Sequence, residues 1–322
     1  MKILVTGGLG LIGHNVVHRL EKLGHEVVIV DIQTNYGIIP VDEVKYLTNE
    51  RSKKIKKSMA YRYDICDHRN MEWLFAGKKF DSVIHMASFP RQKVVNNDPI
   101  WGSRVMSEGL LNLLELSKRF DVKKFVYISS SMVYGDFTDD VTEDAICKPQ
   151  GQYGIMKLAG EWLVKDYSRR NYFNHTIIRP SAVYGPLDVE DRVIAKFMLT
   201  AMRGGVLNVN GAGETLDFTF VDDAADGIVA ATLSDNTFNK TYNITKSHSR
   251  TLLEAAELAV KIVGKGSINV RDKDVDFPSR GALNIDAAKR DFGYDPKVDV
   301  EEGFQAYYEW LSNSAFWSQK TV

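Results

Sequence analysis

Runs of Val, Ile and Leu alternate with amphipathic stretches through the first half of the chain. Apolar runs of strand length fall at 2–6, 26–31, 61–63, 81–86, 124–128 and 175–179. Helical periodicity marks 11–23, 68–75, 99–119 and 152–170. Continuous β-branched runs indicate strands buried on both faces, as in a parallel sheet covered by helices. The β-α-β-α order predicts an α/β fold built on a doubly wound parallel sheet. The rhythm breaks between 34 and 57, where DEVKYLTNERSKKIKK reads as a charged surface helix after the second strand. Beyond Gly185 the pattern is mixed, with helices expected at 193–205, 222–233, 251–263 and EEGFQAYYEWL, and strands at VLNVN, FTFVDD, 241–245 and 267–271. This divides the chain into a unit over 1–185, to which 222–246 returns, and a smaller mixed α/β unit over 186–322.

Composition narrows the classes. The 322 residues carry 41 Lys+Arg and 42 Asp+Glu, a net charge of −1. Binding of a polyanion through bulk positive charge is excluded, and the basic run 53–57 reads as a solvated helix face, so no nucleic-acid partner is expected. Cys66 and Cys147 form no C-x-x-C cluster. They are expected as reduced thiols, with no metal site. No apolar run reaches the ~18 residues of a membrane span, and the start MKILVTGG lacks signal-peptide features, so no membrane partner and a cytoplasmic location are expected.

The first strand runs directly into TGGLGLIG, with Gly7, Gly10 and Gly13 before a helix. Glycines between strand and helix permit a tight turn and a close backbone approach to a pyrophosphate, which the helix N-terminus also attracts. Asp31 ends the second strand, where a carboxylate accepts from both ribose hydroxyls of NAD and repels the 2′-phosphate of NADP. NAD is therefore the expected cofactor. Asp64 and Ile65 open the DICD segment, where a carboxylate at the sheet edge can meet the adenine amino group while Asp67 caps the next helix.

Tyr153 and Lys157 are spaced i, i+4 on one helix face. A lysine cation beside a phenol favours the phenolate, which can take a proton from a sugar hydroxyl. Ser129–Ser131 follow a strand at the ligand-binding edge of the sheet, where a serine can hold the reacting hydroxyl against Tyr153.

TGGLGLIG, Asp31, DICD, VIHMAS, YISSSMVYG, YGIMK and RPSAVYGP occur in the order found in extended short-chain dehydrogenases/reductases. The chain most resembles the nucleotide-sugar epimerases and dehydratases of that group, including its tail FGYDP…EEGFQAYYEWL. The resemblance implies a Rossmann-type domain, a smaller C-terminal substrate domain, NAD, a nucleotide-diphosphate sugar, and a homodimer built on helices 99–119 and 152–170. It assigns catalysis to Ser130, Tyr153 and Lys157. It places Leu11, Ile12, Met86, Ala87, Ser88 and Pro180 at the cofactor, and Ser130, Ser131 and Arg280 at the substrate, where Arg192 is a further candidate.

Departures bear on the reaction. Ser131 and Met132 stand where dehydratases of the family carry two acids, and neither can serve as acid or base. That leaves 4-epimerisation through a keto sugar, a one-way 4-oxidation or 4-reduction with net NAD(H) turnover, or a non-catalytic NAD-binding regulator. Ala182 and Met106 replace family asparagines, and Leu216 replaces an arginine that contacts the diphosphate; Arg192 is the candidate to compensate.

Overall fold

The computed structural model describes residues 1–275 and 277–320. Six strands, β1 (Lys2–Thr6), β2 (Glu26–Val30), β3 (Met59–Tyr61), β4 (Ser82–His85), β5 (Lys124–Ile128) and β6 (Asn174–Pro180), join a seventh, Lys240–Ile244, in one sheet. Every pairing in it is parallel. The spatial order is Lys240–Ile244, β6, β5, β4, β1, β2, β3. The order reverses at β1, which opens a crevice beyond the carboxyl ends of β1 and β4.

The helices of this half are α1 (Leu11–Lys22), α2 (Val41–Lys54), α3 (His68–Lys78), α4 (Gln92–Asn97), α5 (Pro99–Ser103), α6 (Leu110–Arg119) and α7 (Gly151–Arg169). Side chains alternate across each strand, so both sheet faces are apolar. Ile3, Val5 and Ile29 pack with Val16 and Leu20 of α1 and with Ile228 of the helix Val221–Leu233. Leu4, Val28 and Val83 pack with Leu74, Leu113, Leu114 and Val164 on the other face. The second half has its own core, in which Phe197, Met198, Phe218, Phe304, Tyr307 and Trp317 meet.

Several elements differ from the sequence pattern: the third strand lies at Met59–Tyr61 rather than 61–63, FTFVDD is strand only at Thr219–Phe220, and a helix not expected forms over Asp286–Phe292. The stretch 99–119 is interrupted by a π-helical turn, Arg104–Gly109; apolar positions on both sides still recur every three or four residues, so periodicity alone does not reveal it. A final helix, Ala315–Lys320, follows the expected one. The segment read as a surface helix is helical as α2, but its stripe Glu43, Leu47 and Arg51 is buried. The loop 187–190 covers it and satisfies its polar ends: Glu43 accepts from the Glu190 amide at 2.7 Å, and Arg51 donates to the Leu187 carbonyl. Among the described residues, no helix is long and apolar enough to cross a membrane.

Candidate active site

A cavity of about 670 Å³ opens at the carboxyl edge of the sheet and runs to the second half of the chain. Every residue singled out in the sequence as a cofactor, catalytic or substrate candidate lines it.

At one end β1 turns into α1. Gly7 has φ +72°, and a Cβ there would sit 2.8 Å from the Ala87 amide nitrogen. At Gly13 a Cβ would fall 2.1 Å from the Gly7 carbonyl oxygen. The turn therefore needs both glycines, and it brings the loop after β1 against Met86 and Ala87 after β4. Gly10 caps α1 with no side-chain bond to the first amides. Those N–H groups, with Leu11 and Ile12, are free to receive a phosphate. Asp31 accepts from the Leu9 amide at 2.9 Å and the Gln33 amide at 2.8 Å, leaving one acceptor direction on each oxygen for ribose hydroxyls. Burial raises its pKa, and these amides and Arg51 pull it back down. Asp64 accepts from the Cys66 amide at 2.9 Å beside Ile65, while Asp67 caps α3. Ser88 follows Ala87 on the cavity wall, and Pro180 ends β6. A narrow cradle that a Cβ would fill, free helix N–H groups and an acid at the second strand fit a dinucleotide.

The reactive groups lie along β5 and α7. The Ser130 hydroxyl accepts from the Met132 amide at 3.2 Å and acts to lower the Tyr153 pKa. Lys157 Nζ donates to the Ile128 carbonyl at 2.8 Å and stands 5.8 Å from the centre of the Tyr153 ring. Burial lowers the Lys157 pKa to about 7, opposed by Glu161 one turn along. Burial raises the Tyr153 pKa; Ser130, Arg192 and Arg280 act to lower it. Two arginines of the cavity wall thus pull on the phenol in addition to the neighbouring Lys157 ammonium 5.8 Å from the ring centre.

Ser131 donates to Ser181 at 3.1 Å, and Met132 packs with Phe89, Met106 and Tyr153. Ala182 and Leu216 line the cavity wall. Arg192 donates to the Val183 carbonyl at 3.1 Å and lies 3.7 Å from Asp188. Arg280 Nε is buried without a hydrogen-bond partner among the described residues. Burial and then the charge of Arg192 depress the Arg280 pKa to about 10. Two guanidiniums lining one cavity, close enough for the charge of Arg192 to act on Arg280, are suited to receive an anion.

Two neighbours of the site carry little sequence signal. Gln92 accepts the Tyr153 amide at 3.1 Å and holds the start of α7; nothing local marks it, because the loop after β4 delivers it. Arg51 reaches the phosphate loop from α2, and its i, i+4, i+8 spacing with Glu43 and Leu47 is the one available hint.

A sequence profile of the NAD dependent epimerase/dehydratase family matches residues 3–245. The chain is 28% identical to an uncharacterized UDP-glucose epimerase of Bacillus subtilis, over 97% of this chain and 98% of that one. It is 26% identical to a dTDP-D-glucose 4,6-dehydratase of Bos taurus, over 96% and 88%. The crystal structure of a UDP-glucuronic acid 4-epimerase from Bacillus cereus, in complex with UDP-glucuronic acid and NAD, superposes with a TM-score of 0.89 at 27% identity, over 97% of this chain and 99% of that one.

Proposed function

The chain belongs to the NAD dependent epimerase/dehydratase family, and from that premise we propose that this enzyme is a nucleotide-sugar 4-epimerase working through a transient 4-keto sugar. The observation that carries this reading is the chemistry around the Tyr153 hydroxyl. Ser130, Tyr153 and Lys157 share one cavity, while the adjoining Ser131 and Met132 supply no acid or base. An elimination or a decarboxylation asks for more than this set offers; oxidation and reduction at one carbon do not. NAD, when bound, supplies the hydride acceptor and donor.

In this reading Tyr153 takes the proton of the sugar 4-hydroxyl and later returns it, Ser130 orients that hydroxyl, and Lys157 orders the base. Gly7, Gly10, Leu11, Ile12 and Gly13 hold the cofactor diphosphate. Asp31 holds a ribose, Asp64 and Ile65 the adenine, and Met86, Ala87, Ser88 and Pro180 the nicotinamide half. Arg192 and Arg280 clamp the substrate diphosphate, Arg192 taking the place left by Leu216, with Ser131 near the sugar. The division at residue 185, a homodimer and a cytoplasmic location are kept as parts of the same proposal.

The test is a panel of UDP-, GDP-, CDP- and dTDP-sugars, followed by NMR of the product and absorbance of NADH. Inversion at C4 without net NADH is the expected result. NADH formed in proportion to product would favour a 4-dehydrogenase, and a 4-keto-6-deoxy product would mark a dehydratase; either overturns the reading.

A further inference from the structure

Helix α2 lies over the nucleotide end of the cavity, where Val44, Leu47, Thr48 and Arg51 form part of the wall. It is inserted between two strands of the cofactor sheet, yet it is fastened to the second half of the chain. Besides the Glu43–Glu190 bond, the Tyr46 hydroxyl shares a hydrogen bond of 2.7 Å with Ser314, and its ring stacks on Phe316 at 4.3 Å. Asp42 pairs with Lys320 at 3.1 Å.

Arg51 is 9% exposed. Its Nη1 donates to the Leu9 carbonyl at 3.2 Å, and Nη2 and Nε donate to the Leu187 carbonyl at 2.6 and 3.2 Å. Leu9 belongs to the phosphate loop, and its amide is one of the two that Asp31 accepts. The backbone of Leu9 is therefore held at both ends, its N–H by Asp31 and its carbonyl by Arg51. Asp188 and Asp31 are near enough to act on Arg51, but among the described residues no carboxylate forms an ion pair with it. A buried guanidinium whose hydrogen bonds go to carbonyls, with no carboxylate in ion-pair contact, carries a charge that an anion entering the cavity beside it would help to offset.

We propose that Arg51 is a cofactor-binding residue serving the diphosphate of the dinucleotide, and that α2 is the strap that keeps the dinucleotide in the cavity between turnovers. The proposal rests on the family's cofactor and is independent of the reaction assigned to the sugar. For the dinucleotide to leave, α2 must come away from 187–190 and from 314–320. An anion seated beside Arg51 strengthens the guanidinium fork that ties those segments to the phosphate loop, so occupancy tightens the strap.

The experiment compares wild type with Arg51→Met, Arg51→Lys and Tyr46→Phe, loaded with NADH. NADH release is followed by fluorescence after a chase with excess NAD, and melting temperature is measured with and without NAD. Loss of a hydrogen-bonded charge predicts release from Arg51→Met roughly 10- to 150-fold faster, with a smaller NAD-induced rise in melting temperature. Arg51→Lys falls between, because an ammonium keeps the charge but not the fork. Tyr46→Phe, outside the cavity, also releases faster. If Arg51→Met does not fold, the other two variants decide. Release from every folded variant within about twofold of wild type overturns the proposal. So does a fall in melting temperature that is equal with and without NAD, which marks Arg51 as structural only. No sugar turnover is read, so failure of the 4-epimerase reading leaves the release rates and their meaning unchanged.

Discussion

Glu161 clasps Arg179 through both carboxylate oxygens, at 2.9 and 2.7 Å, one helical turn beyond Lys157 on the same face of α7. Ser129 donates to the same carboxylate at 2.6 Å, and Arg179 continues to the Tyr134 hydroxyl at 2.9 Å. This buried network lies directly behind the reactive face, and Glu161 is the group that raises the Lys157 pKa against burial.

Glu161→Gln should therefore act twice. Leaving Arg179 buried and unpaired costs about 3–5 kcal/mol of stability. The Lys157 pKa should fall further below its present value of about 7, moving the alkaline limb of the pH–rate profile to lower pH. The sign for stability follows from the same shift. Between about pH 7 and the ordinary lysine value of 10.5, Lys157 binds fewer protons folded than unfolded. Its penalty on folding is full below about pH 7 and lifts as pH rises through that window. In the variant the window opens at lower pH. Urea melts across pH 6–10 and a rate profile check both; an unmoved alkaline limb would remove Glu161 from the account of Lys157.

Tyr153→Phe should lower turnover by about 10²–10⁴ and leave NAD binding near wild type, since the ring and its packing remain. The measurement is single-turnover kinetics beside NAD content. More than about a tenth of wild-type activity would place the proton acceptor elsewhere.

Arg280→Ala should weaken nucleotide-sugar binding roughly 10- to 150-fold, and Arg192→Ala by a comparable factor, because hydrogen bonds to charged groups carry this much. Neither change should disturb NAD affinity. Calorimetric titration of substrate separates this from a loop-stabilising role, which would instead appear as a lower melting temperature with unchanged affinity.

Helix α6 turns Leu110, Leu113 and Leu114 to the sheet and α7 turns Val164, yet Ile155 and Trp162 of α7 are 52% and 65% exposed. Covering them with a second copy accounts for that apolar face. Light scattering at micromolar concentration should give a dimer for wild type and a monomer for Trp162→Glu. A monomeric wild type would count against the homodimer.

The doubly wound sheet was legible because its signals are local. Val/Ile runs, the glycines between β1 and α1, and the one-turn spacing of Tyr153 and Lys157 all act within a few residues of one another. So was the convergence of Ser130, Asp31 and the phosphate loop, since parallel strands send every such loop to one edge. Motif order carried the family for the same reason: each motif is a short segment with a local geometric job.

The tertiary structure decided what depends on faces meeting across long separations. Arg51 bonds Leu187, 136 positions away. Gln92 holds Tyr153 across 61. Arg192 and Arg280 come to face one cavity only because the loop 185–192 and the loop before Gly281 fold over the same sheet edge. A charged helix with one buried stripe looks solvated in sequence, because charge content is the same whether its partners are water or carbonyls. Which of those it meets is settled by packing, where a buried guanidinium or carboxylate is tolerated only if the surrounding backbone satisfies it.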